Sequence, residues 1–432
     1  MRFTLLTPGT GHFYCGSCLR DDALGRALRG LGHEADVVPL YLPLVLERDE
    51  ASTAQVQMGG INVYLQQKAR AFGWLPRWVR NLLDSPRLLR WAARRGNMTA
   101  AHELGELATS ILCGEDGRQR QEIDKLVTWL RSQPRPDVVI VSNAMLVGVV
   151  RRLREALEVP VVVTLQGEVP FLDALPEPFC REAYASLRAR ALEADALIAV
   201  SASYRDEVQA RLDLPDELFH VVHNGIEVED FGAAATSRPD APTIGFLARM
   251  CADKGLDTLV DAFLLLKARG GQPSLRLRVA GVQLQEDGPF VDALRDRIAR
   301  AGHTADVDFL PNISRDDKVA FLHTLTALSV PARYGESFGL YLLEAMAAGV
   351  PVVQPRTAAF PEILAATGGG LLCEPEQPAA LAEGLEALLV DPDRATALGA
   401  RGQQAVRERF SSHQMAARVA DICSALGPAR PD

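Results

Sequence analysis

Long apolar runs are missing from this chain. No stretch approaches the roughly 20 residues that a membrane-spanning helix needs, so no helical span is expected. Cysteine is scarce as well: there are 7 in 432 residues, an odd and scattered number. That excludes a disulfide framework of the small secreted kind and fits reduced thiols in the cytoplasm. An excess of positive charge is also lacking. With 46 Lys and Arg against 55 Asp and Glu, the formal net charge of -9 argues against general nucleic-acid binding. Residues 1–8 are too few, and too soon broken by Pro8 and Gly9, for a signal peptide, so they read as a first strand. A cytoplasmic location is the expectation.

What is present is a long α/β pattern. At 432 residues the chain exceeds what one core usually supports. Strand-like runs at 3–7, 35–39, 138–141, 159–164, 196–201 and 220–223 alternate with helical stretches, and the alternation resumes at 243–247, 275–280, 307–309, 327–330 and 351–354. Alternation of this kind implies parallel sheets. Two doubly wound Rossmann-like domains follow, 1–235 and 242–409, with the small-residue stretch 232–241 as linker and a C-terminal helix, 410–426, crossing back to the first domain. Ligands of such sheets lie beyond the strand C-termini, so the two domains are expected to face each other across a cleft.

Residues 334–353 carry the most chemistry. Glu336 precedes the turn Phe338-Gly339, an apolar helical run then carries Glu344, and Gly349-Val350-Pro351 stops it. Unpaired N–H groups near Phe338, Gly339 and Leu340 make a seat for a diphosphate, and side-chain changes there should matter less than distortion of the turn. Glu336 on its own reads first as a helix N-terminal carboxylate favoured by the dipole. Glu344, about two turns beyond Glu336, has Leu343, Ala345 and Met346 as neighbours; a buried carboxylate there demands a partner such as a ribose diol. Upstream, Arg249 offers a bidentate fork and Lys254 a compact charge for phosphate oxygens. The simpler reading is that both decorate a surface loop.

These stretches together resemble glycosyltransferase family 4, whose members have the GT-B fold and are generally retaining and nucleotide-sugar-dependent. The two glutamates spaced by seven residues, Glu336 and Glu344, resemble the family's glutamate pair, and Arg249 and Lys254 behind strand 243–247 resemble its arginine and lysine. Residues 194–201 and 223–226 look like the family's last N-domain strand and following turn. The resemblance implies a hexosyltransferase taking a nucleoside diphosphate sugar to a hydroxyl acceptor. It assigns Glu336, Lys254 and Arg249 to catalysis, and Glu344, Phe338, Gly339, Leu340 and Gly11 to the donor. No cofactor is implied, the nucleotide sugar being a substrate. No Asp-x-Asp stretch stands where it would hold a metal on a diphosphate, so metal independence is expected.

One departure concerns the acceptor side. Many relatives place a histidine after the strand at 161–165, where this chain has Gln166-Gly167-Glu168. Gln166 cannot take a proton, though it can bond a hydroxyl, and Glu168 or Asp173 could approach an acceptor. His12, in the glycine-rich loop after the first strand, is the other acceptor-side candidate, with a solvent-facing loop histidine as the alternative. Cys15 and Cys18 form a CxxC without the ligands that complete a zinc site. Residues 66–97 carry Lys68, Arg70, Arg77, Arg80, Arg87, Arg90, Arg94 and Arg95 against Asp84, with Trp74, Trp78 and Trp91 between them. Such a segment fits peripheral contact with an anionic membrane, an acceptor lid, or a surface hairpin. The competing functions are a sugar-nucleotide epimerase or glucan synthase on the same scaffold, and a non-catalytic GT-B subunit.

Overall fold

The computed structural model describes residues 1–9, 16–42, 56–58, 101–232 and 241–427, with backbone alone for 101–103. Gly11, His12, Cys15, the 66–97 segment and residues 233–240 of the expected linker lie outside the described residues. The chain divides into two compact units, one formed by residues 1–225 with the chain from Ser412 onward, the other by Ile226–Ser411.

In the first unit β1 (Arg2–Thr7), β2 (Glu34–Pro39), β3 (Val138–Val141), β4 (Val161–Leu165), β5 (Ala196–Ala199) and β6 (Phe219–Val221) form a parallel sheet in the order β2-β1-β3-β4-β5-β6. In the second, β7 (Thr243–Leu247), β8 (Arg276–Gly281), β9 (Val307–Pro311), β10 (Ala327–Leu328), β11 (Val352–Pro355) and β12 (Gly370–Cys373) are ordered β12-β11-β10-β7-β8-β9, again all parallel. The central strands β3, β4, β5 and β7 are buried along their whole length. Helix-covered parallel sheets bury both faces of each strand, which is why these segments read as continuous apolar runs. The sequence reading contained no counterpart of β12. Its four residues open on the last of three consecutive glycines, lie at a sheet edge and are half-buried except for Cys373, so they carry little strand signal.

Phe3, Leu5, Ile140, Val162 and Ile198 from the first sheet pack with Leu24 and Leu28 of the helix Gly16–Gly30 and with Met415, Val419 and Cys423 of the last helix, Ser412–Ala425. Cys18 is buried as well, its sulfur 3.6 Å from the Thr7 hydroxyl. The chain leaves the first unit after Gly225, ahead of the expected linker at 232–241. The physical reason is that Val228 and Phe231 are already buried, and the Ile226 N–H donates to the Phe410 carbonyl at 2.9 Å. That bond and the bridge between Ile226 and Ser411 lie at the break between the helices Pro392–Arg409 and Ser412–Ala425, the second of which falls within the expected C-terminal helix at 410–426. No helix among the described residues is long and apolar enough to cross a membrane.

Candidate active site

In the second sheet the strand order reverses between β7 and β10, which are neighbours although far apart in sequence. In open α/β sheets a ligand crevice forms outside the strand C-termini at such a switch point. Both loops that leave this point carry expected site residues. The loop after β7 brings Arg249 and Lys254; the loop after β10 brings Glu336. The loops are locked together, with the Arg333 N–H donating to the Asp253 carbonyl at 3.0 Å. Gly255 makes this approach possible: at φ +70°, a Cβ there would stand 1.9 Å from the Pro331 carbonyl oxygen.

Lys254 and Glu336 meet directly. The Lys254 ammonium donates to Glu336 Oε2 at 2.6 Å and also to the Tyr334 hydroxyl, and it lies 4.8 Å from the centre of the Tyr334 ring. The Tyr341 hydroxyl donates to the same Oε2 at 2.9 Å, with the Tyr334 hydroxyl at 3.4 Å. Glu336 Oε1 takes no partner among the described residues. Burial by itself would lower the pKa of Lys254, but the facing Glu336 and Tyr334 outweigh it and hold the ammonium above its ordinary range. Tyr334 is pushed up to about 12, first by burial and then by Glu336. Tyr341 is raised well above the ordinary tyrosine value by burial, then by Glu336 and Tyr334, so its hydroxyl stays protonated and remains a donor.

Arg249 is engaged elsewhere. Its Nε and Nη2 hold Asp287 at 3.0 and 2.9 Å, and Nη2 also reaches Glu286. The Asp287 bonds and Glu286 raise its pKa against the opposing effect of burial. Nη1 has no partner among the described residues and is the donor left for a ligand. Asp287 also accepts the Leu284 N–H at 2.8 Å, which closes the 3-10 turn Gln285–Asp287 that runs into the helix Gly288–Arg300.

The turn before the helix Leu340–Ala347 has Gly339 at φ +86° as N-cap, with no side-chain cap, which leaves the first N–H groups for water or a ligand. Phe338 corrects an expectation: its ring is 2% exposed and packs on Phe410 with centroids 6.4 Å apart, so its side chain is a packing element as well as a carrier of a turn N–H. Glu344 requires a second correction. It lies about one turn into the helix, half-buried, and Lys318 Nζ is 2.7 Å away. Its need for a partner is met within the protein, so a ribose would have to share that carboxylate with Lys318.

On the first unit, Glu168 is 5% exposed. Its carboxylate accepts the N–H groups of Ala144, Gln166 and Gly167 at 2.9 to 3.0 Å and the Tyr204 hydroxyl at 2.8 Å. That corrects the acceptor-side expectation for Glu168. A buried carboxylate already taking four donors fixes the loop after β4, and its lone pairs are spent. Gln166 is half-buried beside it. Asp173 binds Tyr184 and Arg211.

Residues 228–405 match the family "Glycosyl transferases group 1", and residues 22–225 match "Glycosyl transferase 4-like domain". The chain belongs to the family 4-type glycosyltransferases. A glycogen synthase of Mycobacterium tuberculosis is 28% identical over 281 residues, covering 64% of this chain and 65% of that protein. The GDP-mannose-dependent alpha-(1-6)-phosphatidylinositol monomannoside mannosyltransferase of the same organism is 31% identical over 191 residues, 42% of this chain and 47% of that one. The D-inositol 3-phosphate glycosyltransferase of Streptomyces bingchenggensis is 32% identical over 244 residues, 53% and 52%. The matches thus span between 47% and 65% of the length of these relatives. Among solved structures, sucrose-phosphate synthase of Thermosynechococcus elongatus has a TM-score of 0.70 at 16% identity, covering 98% of each chain. Anabaena HepE, solved with UDP and glucose, has 0.68 at 18%, covering 98% of this chain and all of that one. At such identities the likeness shows the fold, a two-domain Rossmann-like GT-B fold.

Four contributors to the site carry no mark in the sequence analysis above: Tyr334, Tyr341, Asp287 and Lys318. Tyr334 and Tyr341 stand two before and five after Glu336, close enough in sequence to have been considered. Asp287 and Lys318 meet their partners across 38 and 26 residues, and no local pattern marks such pairs.

Proposed function

We propose that this chain is a retaining glycosyltransferase that moves a sugar from a nucleoside diphosphate sugar to a hydroxyl acceptor, a glycan, glycolipid or small molecule, without a metal. The observation that carries this reading is the Lys254–Glu336 pair, 2.6 Å apart at the switch point, with Glu336 Oε1 left open. The diphosphate lies against the N–H groups that open the helix Leu340–Ala347. Lys254 and Arg249 supply the positive charge that its departure requires, an effect larger in the transition state than in the ground state. Glu336 Oε1 accepts from a sugar hydroxyl. The bond between the anomeric carbon and the phosphate oxygen breaks, its electron pair going to the diphosphate. The acceptor oxygen bonds the anomeric carbon from the same face, and its proton passes to the departing phosphate oxygen. Glycosidase chemistry, by contrast, sets two carboxylates on opposite sides of the bond and has no use for paired cations beside the leaving group.

Product analysis by NMR tests the stereochemistry: retention of the donor's anomeric configuration is expected, and inversion overturns the mechanism. Activity in EDTA should equal activity without it, and loss that a divalent metal restores overturns metal independence. A glucan acceptor is the second reading, favoured by the match to the mycobacterial glycogen synthase, and incorporation of labelled sugar into glycogen decides for or against it. Peripheral contact with the inner membrane face through residues 66–97 rests on their charge and tryptophans. No flotation with anionic liposomes at low salt refutes it.

A further inference from the structure

Glu336 uses its two oxygens differently. Oε2 accepts from Lys254 at 2.6 Å, from Tyr341 at 2.9 Å and from Tyr334 at 3.4 Å, whereas Oε1 takes no partner among the described residues. A single ammonium cannot fix such a carboxylate, because a flexible lysine contact leaves rotation about the bond from Cγ to the carboxyl carbon open. Two donors of different origin converging on one oxygen restrict that rotation. Tyr341 is suited to this. It lies in the first turn of the helix Leu340–Ala347, is 8% exposed, and reaches back to a loop residue five positions earlier.

Its ring is held in turn by the glycine turn. A Cβ on Gly339 would come within 3.3 Å of Tyr341 Cζ and 3.4 Å of its hydroxyl oxygen, at a φ of +86° that side chains rarely adopt. Gly339 therefore serves two ends: it opens the helix N-terminus and leaves room for the ring that aims Glu336. Tyr334 plays a different part. It accepts from Lys254 and lies farther from Glu336, so its hydroxyl mainly orients the ammonium.

We infer that Tyr341 is a positioning residue which clamps Glu336 through Oε2, so that Oε1 alone faces the hydroxyl of the transferred sugar. The inference rests on the reading of Glu336 as the sugar-contacting carboxylate. It specifies that selection among sugar configurations depends on a side chain that never touches the sugar. Removing only the hydroxyl leaves the ring packing in place while Oε2 loses one of its two short bonds, and the carboxylate gains a second orientation.

The test is Tyr341→Phe beside Glu336→Gln, each assayed with the accepted donor and with analogues lacking one sugar hydroxyl. Tyr341→Phe is expected to keep the affinity for the free nucleoside diphosphate within about twofold and to lower kcat about tenfold, equal to about 1.4 kcal/mol. The deoxy analogue that suffers most with the wild-type enzyme should suffer much less with Tyr341→Phe, because the contact it lacks is already loosened. A merely structural role would lower the melting temperature and leave this discrimination unchanged, and that result overturns the inference. If Glu336→Gln loses turnover while Tyr341→Phe keeps both turnover and discrimination, the positioning role alone fails. If Glu336→Gln turns over normally, the reading of the site fails first.

Discussion

Replacing Lys254 with alanine tests how much of the site's work falls on one ammonium. Lys254 is 18% exposed at its side chain and its partner Glu336 11%, so the pair is shielded but not sealed. A hydrogen bond to a charged group contributes about 1.5–3 kcal/mol, and losing it would strand a carboxylate. Tyr341 and Tyr334 still donate to Glu336 in the variant, which holds the loss of stability to about 2 kcal/mol. For a unit the size of Ile226–Ser411 that is a fall of about 4–8 °C in melting temperature. Turnover should fall far more, about 100-fold, because the ammonium is worth most when charge develops on the diphosphate. The pH dependence has a definite sign. The pKa of Lys254 is raised in the folded protein, so its contribution is complete below the ordinary lysine value of 10.5 and is lost only as pH climbs through the raised one. The gap in melting temperature between wild type and variant should be flat from neutral pH to about pH 10 and narrow above it. Melting curves and kcat at saturating donor measure the two effects separately. A folded variant with near-normal turnover would refute the catalytic role and leave Lys254 a loop fastener.

Phe338→Ala should destabilise the second unit by about 3–5 kcal/mol, since a buried ring against Phe410 is lost; a cost under 1 kcal/mol in chemical denaturation contradicts the packing argument. Glu168→Ala leaves three N–H groups and the Tyr204 hydroxyl without their acceptor and should cost about 3 kcal/mol. Its acceptor KM, measured in material shown to be folded, should change little, and a large rise in that KM with unchanged stability would return Glu168 to the acceptor site.

Much of the fold was readable because both sheets are parallel and covered, so each central strand stands out as an apolar run bounded by helical periodicity. β12 failed that test: it is short, glycine-led and at an edge, and only pairing with β11 makes it a strand. The unit boundary was displaced for a related reason. Composition marks where a chain is free to wander, whereas the division follows Ile226, whose N–H is tied to Phe410 at the far end of the unit. Lys254 and Glu336 could be named from local grammar, a loop after a strand and an acid before a helix. Their contact depends on β7 and β10 being neighbours, a property of strand order. The partners of Arg249 and Glu344 were invisible because each comes from another element, as do Ala144 and Tyr204 among the donors to Glu168. Charged residues expected at a ligand also hold partners within the protein: Asp287 and Glu286 take Nε and Nη2 of Arg249 and leave Nη1, and a ligand must compete with Lys318 for Glu344.

The most direct measurement is thermal denaturation with UDP, GDP, ADP and their common sugars, on wild type and on Glu344→Ala. A ligand that binds only the native state at 100 times its Kd adds about 2.7 kcal/mol to stability. One base is expected to raise the melting temperature selectively, with the shift lost or much reduced in Glu344→Ala while the unliganded variant still melts cooperatively. No shift with any nucleotide, or a shift that Glu344→Ala leaves untouched, would contradict the assignment of the donor to the crevice between β7 and β10.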